Sequence, residues 1–154
     1  MKKKLKWPAV LLLAIFLLLQ LTNPPRTNPP VKSDLIANTS PPAPVAAVLV
    51  AACYDCHSHQ TKWPWYSRIA PMSWLIAHDV NEGRENLNLS EWPADDTKRA
   101  VRRLEDMSEA ISYNEMSLKK YTAIHTDARL TDSQRTALTD WLDAAAEKLK
   151  SSAK

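Results

Sequence analysis

One glycine, Gly83, stands in a chain of 154 residues. Glycine supplies the backbone angles of tight hairpin turns and the close approach of phosphate-cradling loops. With a single copy, a turn-rich β-sandwich or barrel and a glycine-rich nucleotide loop are both poor solutions. No stretch alternates apolar and polar residues like a half-buried strand. The expected fold class is therefore all-α.

Several segments carry helical signals. Residues 44–52, PVAAVLVAA, read as a short helix running into a pair of cysteines. Residues 71–82 read as a second helix, with Pro71 near its start and Gly83 permitting its end. A third is expected from about residue 94 to Ile111. Ala100, Val101, Leu104, Met107, Ala110 and Ile111 fall on one apolar stripe there, with Arg99, Arg102, Arg103, Glu105 and Glu109 as its solvated face. Residues 117–125 suggest a shorter helix. Thr131 followed by Gln134 is a capping box, opening a last helix whose stripe is Leu138, Trp141, Leu142, Ala145 and Leu149.

The N-terminal part differs in kind. Residues 1–21 combine Lys2, Lys3, Lys4 and Lys6 with an apolar run from Trp7 to Leu21. Fifteen helical residues reach about 22 Å, short of a ~30 Å hydrocarbon core. Leading lysines favour an N-terminus kept inside. The run is expected to act as an export signal. No Ala-x-Ala follows it, so an uncleaved signal anchor is expected, with cleavage as the alternative. Residues 22–44 hold seven of the eleven prolines and read as a polyproline spacer. Residues 45–150 are left as the folded domain. Residues 1–45 carry +5 and residues 46–154 carry −2, which argues against a basic nucleic-acid-binding face.

Chemistry concentrates in Cys53-Tyr54-Asp55-Cys56-His57. CxxCH is the attachment signature of c-type haem: two thiols can add across the vinyl groups and the following imidazole can bind iron. Export, helicity and small size suit that reading. The alternatives are zinc, with His59, His78 or His125 completing the ligands, a redox dithiol, and a structural disulfide. At least two of Trp63, Trp65, Tyr66, Trp74 and Trp92 are expected to pack on the haem, and Arg68 or Arg84 could pair with a propionate. Met116, between two predicted helices, is the leading sixth ligand; His78, His125, Met72 or an open position are the alternatives. Met107 belongs to the core stripe, and His59 is too close to His57 to reach the other face.

Cys53–Ser58, Thr61-Lys-Trp63-Pro64-Trp65-Tyr66-Ser67, Ala70-Pro71-Met-Ser73-Trp74-Leu75, His78-Asp-Val80, Gly83-Arg84, Leu87–Trp92, and Tyr121 with His125, Ala128 and Leu130-Thr131 form a larger pattern. It resembles the bacterial haem-binding domain family of exported, often membrane-anchored proteins, over residues 46–145. The resemblance implies a small cytochrome c-like domain around one haem c, with Cys53 and Cys56 as thioether sites and His57 as proximal ligand. The family's Glu-Met-Pro stretch stands where Glu115-Met116-Ser117 stands here, so the methionine matches and the proline is serine. The expected function is single-electron transfer with redox proteins of the periplasm or respiratory chain, at the outer face of a bacterial inner membrane. The rival is a haem peroxidase or a small-ligand or redox sensor with an open distal site. No nucleic-acid partner is expected.

Overall fold

A computed structural model of the chain describes residues 6–153. Eight α-helices are described: α1 (Lys6–Leu19), α2 (Leu35–Thr39), α3 (Ala43–Ala52), α4 (Tyr54–His57), α5 (Met72–Asn86), α6 (Thr97–Ser112), α7 (Lys119–Thr122) and α8 (Asp132–Ser152). Short 3₁₀ turns lie at Gln20–Thr22, Trp65–Arg68 and Thr126–Ala128. Among the described residues there is no strand, only an isolated bridge between Ser33 and Glu91. The all-α expectation holds.

α6 and α8 form the main helix pair, and α3 lies against α8. Leu104, Met107 and Ile111 of α6 meet Leu138, Leu142 and Ala146 of α8 and Val45, Val48 and Leu49 of α3 in one core. Each fully buried leucine there contributes roughly 1.5–3 kcal/mol of transfer free energy. Both ends that matter are capped. Asp96 accepts the Arg99 N–H at 3.0 Å. At α8 the Thr131 hydroxyl accepts the Gln134 N–H at 3.2 Å, and the Gln134 side-chain oxygen accepts the Thr131 N–H at 2.9 Å. The capping box expected from the sequence is present.

Residues 22–44 are not a free spacer. Leu35 is fully buried in the core, and the Lys32 and Ser33 N–H groups both donate to the Ser90 carbonyl. The Leu35 N–H donates to the Leu89 carbonyl at 2.9 Å, and Ser33 accepts from the Trp92 N–H at 2.8 Å. Asn28 donates to the Thr61 carbonyl at 2.9 Å. Extended proline-rich backbone has no internal hydrogen bonds, so its carbonyls are free for partners elsewhere. Arg84 takes the Thr27 carbonyl at 3.0 Å, and His59 takes that of Pro30 at 3.0 Å. The segment is a belt around the domain.

The apolar N-terminal run forms α1 as a helix of 14 residues, about 21 Å long. Among the described residues no helix is long and apolar enough to cross a membrane. The structure therefore does not support the expected signal anchor as a full span, and Lys2, Lys3 and Lys4 lie outside the described residues.

Candidate functional site

α3 ends at Cys53, whose carbonyl accepts the N–H groups of Cys56 at 3.3 Å and His57 at 2.9 Å. The resulting single turn, α4, puts positions 53, 56 and 57 on one side, at the i, i+3, i+4 spacing of a helix face. The Ser58 hydroxyl closes the turn on the Tyr54 carbonyl at 2.7 Å. α5 then crosses α4 at Gly83. A Cβ at that position would stand 2.6 Å from the Cys56 carbonyl oxygen. The backbone angle there is ordinary, so space and not conformation requires the glycine. Gly83 does not end the helix as expected; α5 continues to Asn86.

This crossing sets the state of His57. Its Nδ1 lies 2.9 Å from the Gly83 carbonyl and 3.1 Å from the Leu87 carbonyl. Both are acceptors only, so Nδ1 carries the proton and donates, and Nε2 keeps its lone pair. Such a bond to the second nitrogen is what orients a metal-binding imidazole and raises its basicity. Burial also lowers the pKa of His57, favouring the neutral form a ligand needs.

Cys53, Cys56, His57 and Met116 all line one cavity of about 520 Å³. That volume is within the usual ~300–1,000 Å³ range of ligand pockets. Much of the rest of the wall is apolar, with Met107, Ile111 and Leu138 shared with the core. The two cysteines are free thiols in this structure. Burial, with a smaller push from neighbouring negative charge, raises Cys53 to about 12 and Cys56 to about 11. A redox dithiol needs the opposite, a thiol held low enough to ionise.

The histidines proposed for zinc are not assembled around the thiols. His59 is occupied at both nitrogens, by the Pro30 carbonyl at 3.0 Å and the Asn88 amide at 2.8 Å. His78 is exposed on α5 and faces Glu82 at 3.5 Å. His125 accepts from or donates to the Tyr66 hydroxyl at 2.5 Å. None of the three lines the cavity, and neither does Met72. Met116 does so from the loop after α6, where its N–H donates to the Ala110 carbonyl at 3.3 Å. Met107 is a second cavity sulfur, but it is only 6% exposed and packed in the core.

The expected aromatic wall is absent from the cavity. Trp92 is buried in the core, Trp63 donates to Asn28, Trp74 donates to the Thr22 carbonyl, and Trp65 faces outward. Tyr121, whose role the sequence reading left open, lines the site instead. Arg84 spends its donors on Ser58, Thr27, Asn28 and Thr61, and Arg68 does not reach the site. Arg103 and Lys120 are the cations that line it. Arg103 was expected in solvent; it is half-buried and donates to the Asn86 carbonyl at 2.6 Å.

Three contacts hold the Met116-bearing segment over the cavity. The Tyr121 hydroxyl donates to Asp55 at 2.8 Å, inside the CxxCH turn itself. Lys120 pairs with Asp79 of α5 at 2.7 Å, and Tyr66 meets His125. Burial, then the bond to Asp55 and its charge, keep the Tyr121 phenol above its ordinary range and so protonated. Asp55 also accepts the Lys62 N–H at 2.9 Å. The variable middle residue of the motif is thereby a clasp between the two sides of the site.

A family model of a haem-binding domain matches residues 14–144. The chain belongs to the haem-binding domain family. No curated protein and no solved structure matches it. The matched region begins within α1 and includes the proline-rich belt, in agreement with the belt being part of the folded unit. Haem fits the donor set: two thiols, an imidazole with its Nε2 free, and a thioether, on an apolar cavity. When bound, haem supplies a one-electron iron couple.

Proposed function

We propose that the protein is a monohaem c-type cytochrome-like electron carrier. The observation that carries this reading is the convergence of Cys53, Cys56, His57 and Met116 on one apolar cavity. Cys53 and Cys56 are the thioether sites, His57 Nε2 is the proximal ligand, and Met116 is the distal ligand. Histidine–methionine ligation would raise the potential relative to bis-histidine ligation. Gly83 and Leu87 fix the proximal imidazole; Asp55 and Tyr121 hold the distal segment. Single-electron exchange with periplasmic or respiratory redox proteins needs no acid–base chemistry from the residues that line the site.

α1 is proposed as a membrane anchor with its N-terminus inside and the haem domain at the outer face of a bacterial inner membrane. At about 21 Å α1 is shorter than the hydrocarbon core, a mismatch that local thinning of the bilayer and the Trp7 ring at the interface would absorb. The full chain, produced with a haem c maturation system, should retain haem on a denaturing gel and show a low-spin spectrum in both redox states. Loss of haem on denaturation would overturn covalent attachment. Met116 is 36% exposed, the one feature favouring an exchangeable distal site. Rapid stoichiometric CO binding by the reduced protein would therefore replace electron transfer with the peroxidase or sensor reading.

A further inference from the structure

α1 is apolar around its whole circumference, and none of its residues is buried. A helix of this kind is stable only in apolar surroundings. Its foot is clamped to the domain. The Gln20 side chain accepts the Ala70 N–H at 2.9 Å and donates to the Ala70 carbonyl at 3.4 Å. Asn23 donates to the Arg68 carbonyl at 3.2 Å and bonds Ser73. The Trp74 indole donates to the Thr22 carbonyl at 3.1 Å, and Arg26 donates to the Ser67 carbonyl at 3.2 Å. The chain beyond this junction is the belt, hydrogen-bonded to the domain, so no slack separates α1 from the domain.

Exposed apolar side chains flank, in sequence, the residues that clamp this junction, Ser67, Arg68, Ala70 and Ser73. Trp65 is 74% exposed, Ile69 38%, Trp74 37% and Leu75 40%. Leu21, at the foot itself, is 81% exposed, and Arg68 is exposed beside them. Tryptophan is the side chain of the bilayer interface, with an apolar body and a polar N–H. An adjacent cation favours anionic headgroups.

We propose that this face lies on the lipid bilayer: Trp65, Ile69, Trp74 and Leu75 enter the headgroup boundary beside the foot of α1. The domain then rests on the membrane and is not held away from it. The inference depends on α1 being membrane-embedded, as proposed above. Lipid is the occupant because these side chains flank the clamped foot of an apolar, unburied helix whose cover, in the function proposed above, is the bilayer. Glu82, at the cavity, is eight residues along α5 from Trp74, which places the site about 12 Å further along the helix axis.

The test uses the full-length, haem-loaded chain in vesicles of phosphatidylethanolamine and phosphatidylglycerol, at less than one copy per vesicle. Flotation is measured first, and hydroxyl-radical footprinting by mass spectrometry second. Trp92, which is 4% exposed, is the internal standard for a protected indole, and Tyr113, 71% exposed, marks free surface. The expected result is flotation with Trp65 oxidised as slowly as Trp92, while Tyr113 stays reactive. Flotation with Trp65 oxidised many-fold faster than Trp92 overturns the docked face and leaves the anchor standing. Failure to float overturns the anchor, and the docked face with it.

Discussion

Replacing Gly83 by alanine sets two effects of opposite sign against each other. In an unstrained helix interior the change is worth about 1 kcal/mol in favour of alanine. Here the new Cβ would stand 2.6 Å from the Cys56 carbonyl oxygen, 3.1 Å from its carbon and 3.2 Å from its Cβ. A close carbon–oxygen contact is about 3.3 Å, so α5 must retreat by about 0.7 Å. The obstacle is backbone and cannot swing aside. Overpacking of this kind costs roughly 1–3 kcal/mol. The same retreat stretches the 2.9 Å contact from His57 Nδ1 to the Gly83 carbonyl, at roughly 0.5–1.5 kcal/mol. The net expectation is about 2 kcal/mol of destabilisation, or a melting temperature lower by roughly 6–10 °C. Thermal unfolding of the haem-loaded protein, followed by circular dichroism and by the Soret band, measures it. The Soret band should also change before global unfolding, because the His57 imidazole, proposed as the proximal ligand, loses one of its restraints. A Gly83→Ala protein more stable than the parent by about 1 kcal/mol would refute the close-approach argument and leave Gly83 an accident of sequence.

Met116→Ala should abolish the low-spin methionine spectrum of the oxidised protein with little loss of stability. Met107→Ala should keep that spectrum but cost about 2–5 kcal/mol in chemical unfolding, since Met107 is core. Tyr121→Phe removes the 2.8 Å bond to Asp55 and should cost about 1 kcal/mol. The same variant should bind added imidazole faster in stopped-flow absorption, because the Met116 segment is less restrained. Leu35→Ala should cost about 2–5 kcal/mol, as expected of a fully buried leucine; an unchanged unfolding midpoint would return the belt to the status of a spacer.

Local signals survived the passage from sequence to structure. CxxCH is one helical turn, and its face is set by its own spacing. The Thr131–Gln134 capping box and the stripes of α6 and α8 likewise depend on neighbours three and four residues away. What was misread depends on distant partners. The proline-rich segment has little apolar periodicity, and its bonds go to Thr61, Arg84, Leu89 and Ser90, far along the chain. Gly83 resembles a helix stop because the residue it touches, Cys56, lies on another element. The aromatics expected on the haem show the same limit: Trp92 is in the core, while Trp65 and Trp74 are exposed. Arg103 sits among charged neighbours in sequence, and only the packing of α6 shows that it reaches the cavity.

The cavity is also a gap in the core, since Met107, Ile111 and Leu138 belong to both. Without a bound group this apolar wall faces water, so part of the surface that the core residues would bury stays solvated and the packing of α3, α6 and α8 is looser. The chain without haem should therefore keep its helices and lose fixed tertiary order. Produced without haem c maturation, it should retain most far-ultraviolet dichroism while its near-ultraviolet tryptophan signal weakens and its unfolding broadens. Haem attached as proposed stays on the unfolded chain, so it should restore a sharp transition through the iron ligation and apolar contacts that only the folded state makes with it. A haem-free chain that unfolds as sharply and as high as the loaded one would show that α6 and α8 hold the core unaided, and that haem is cargo and not part of the fold.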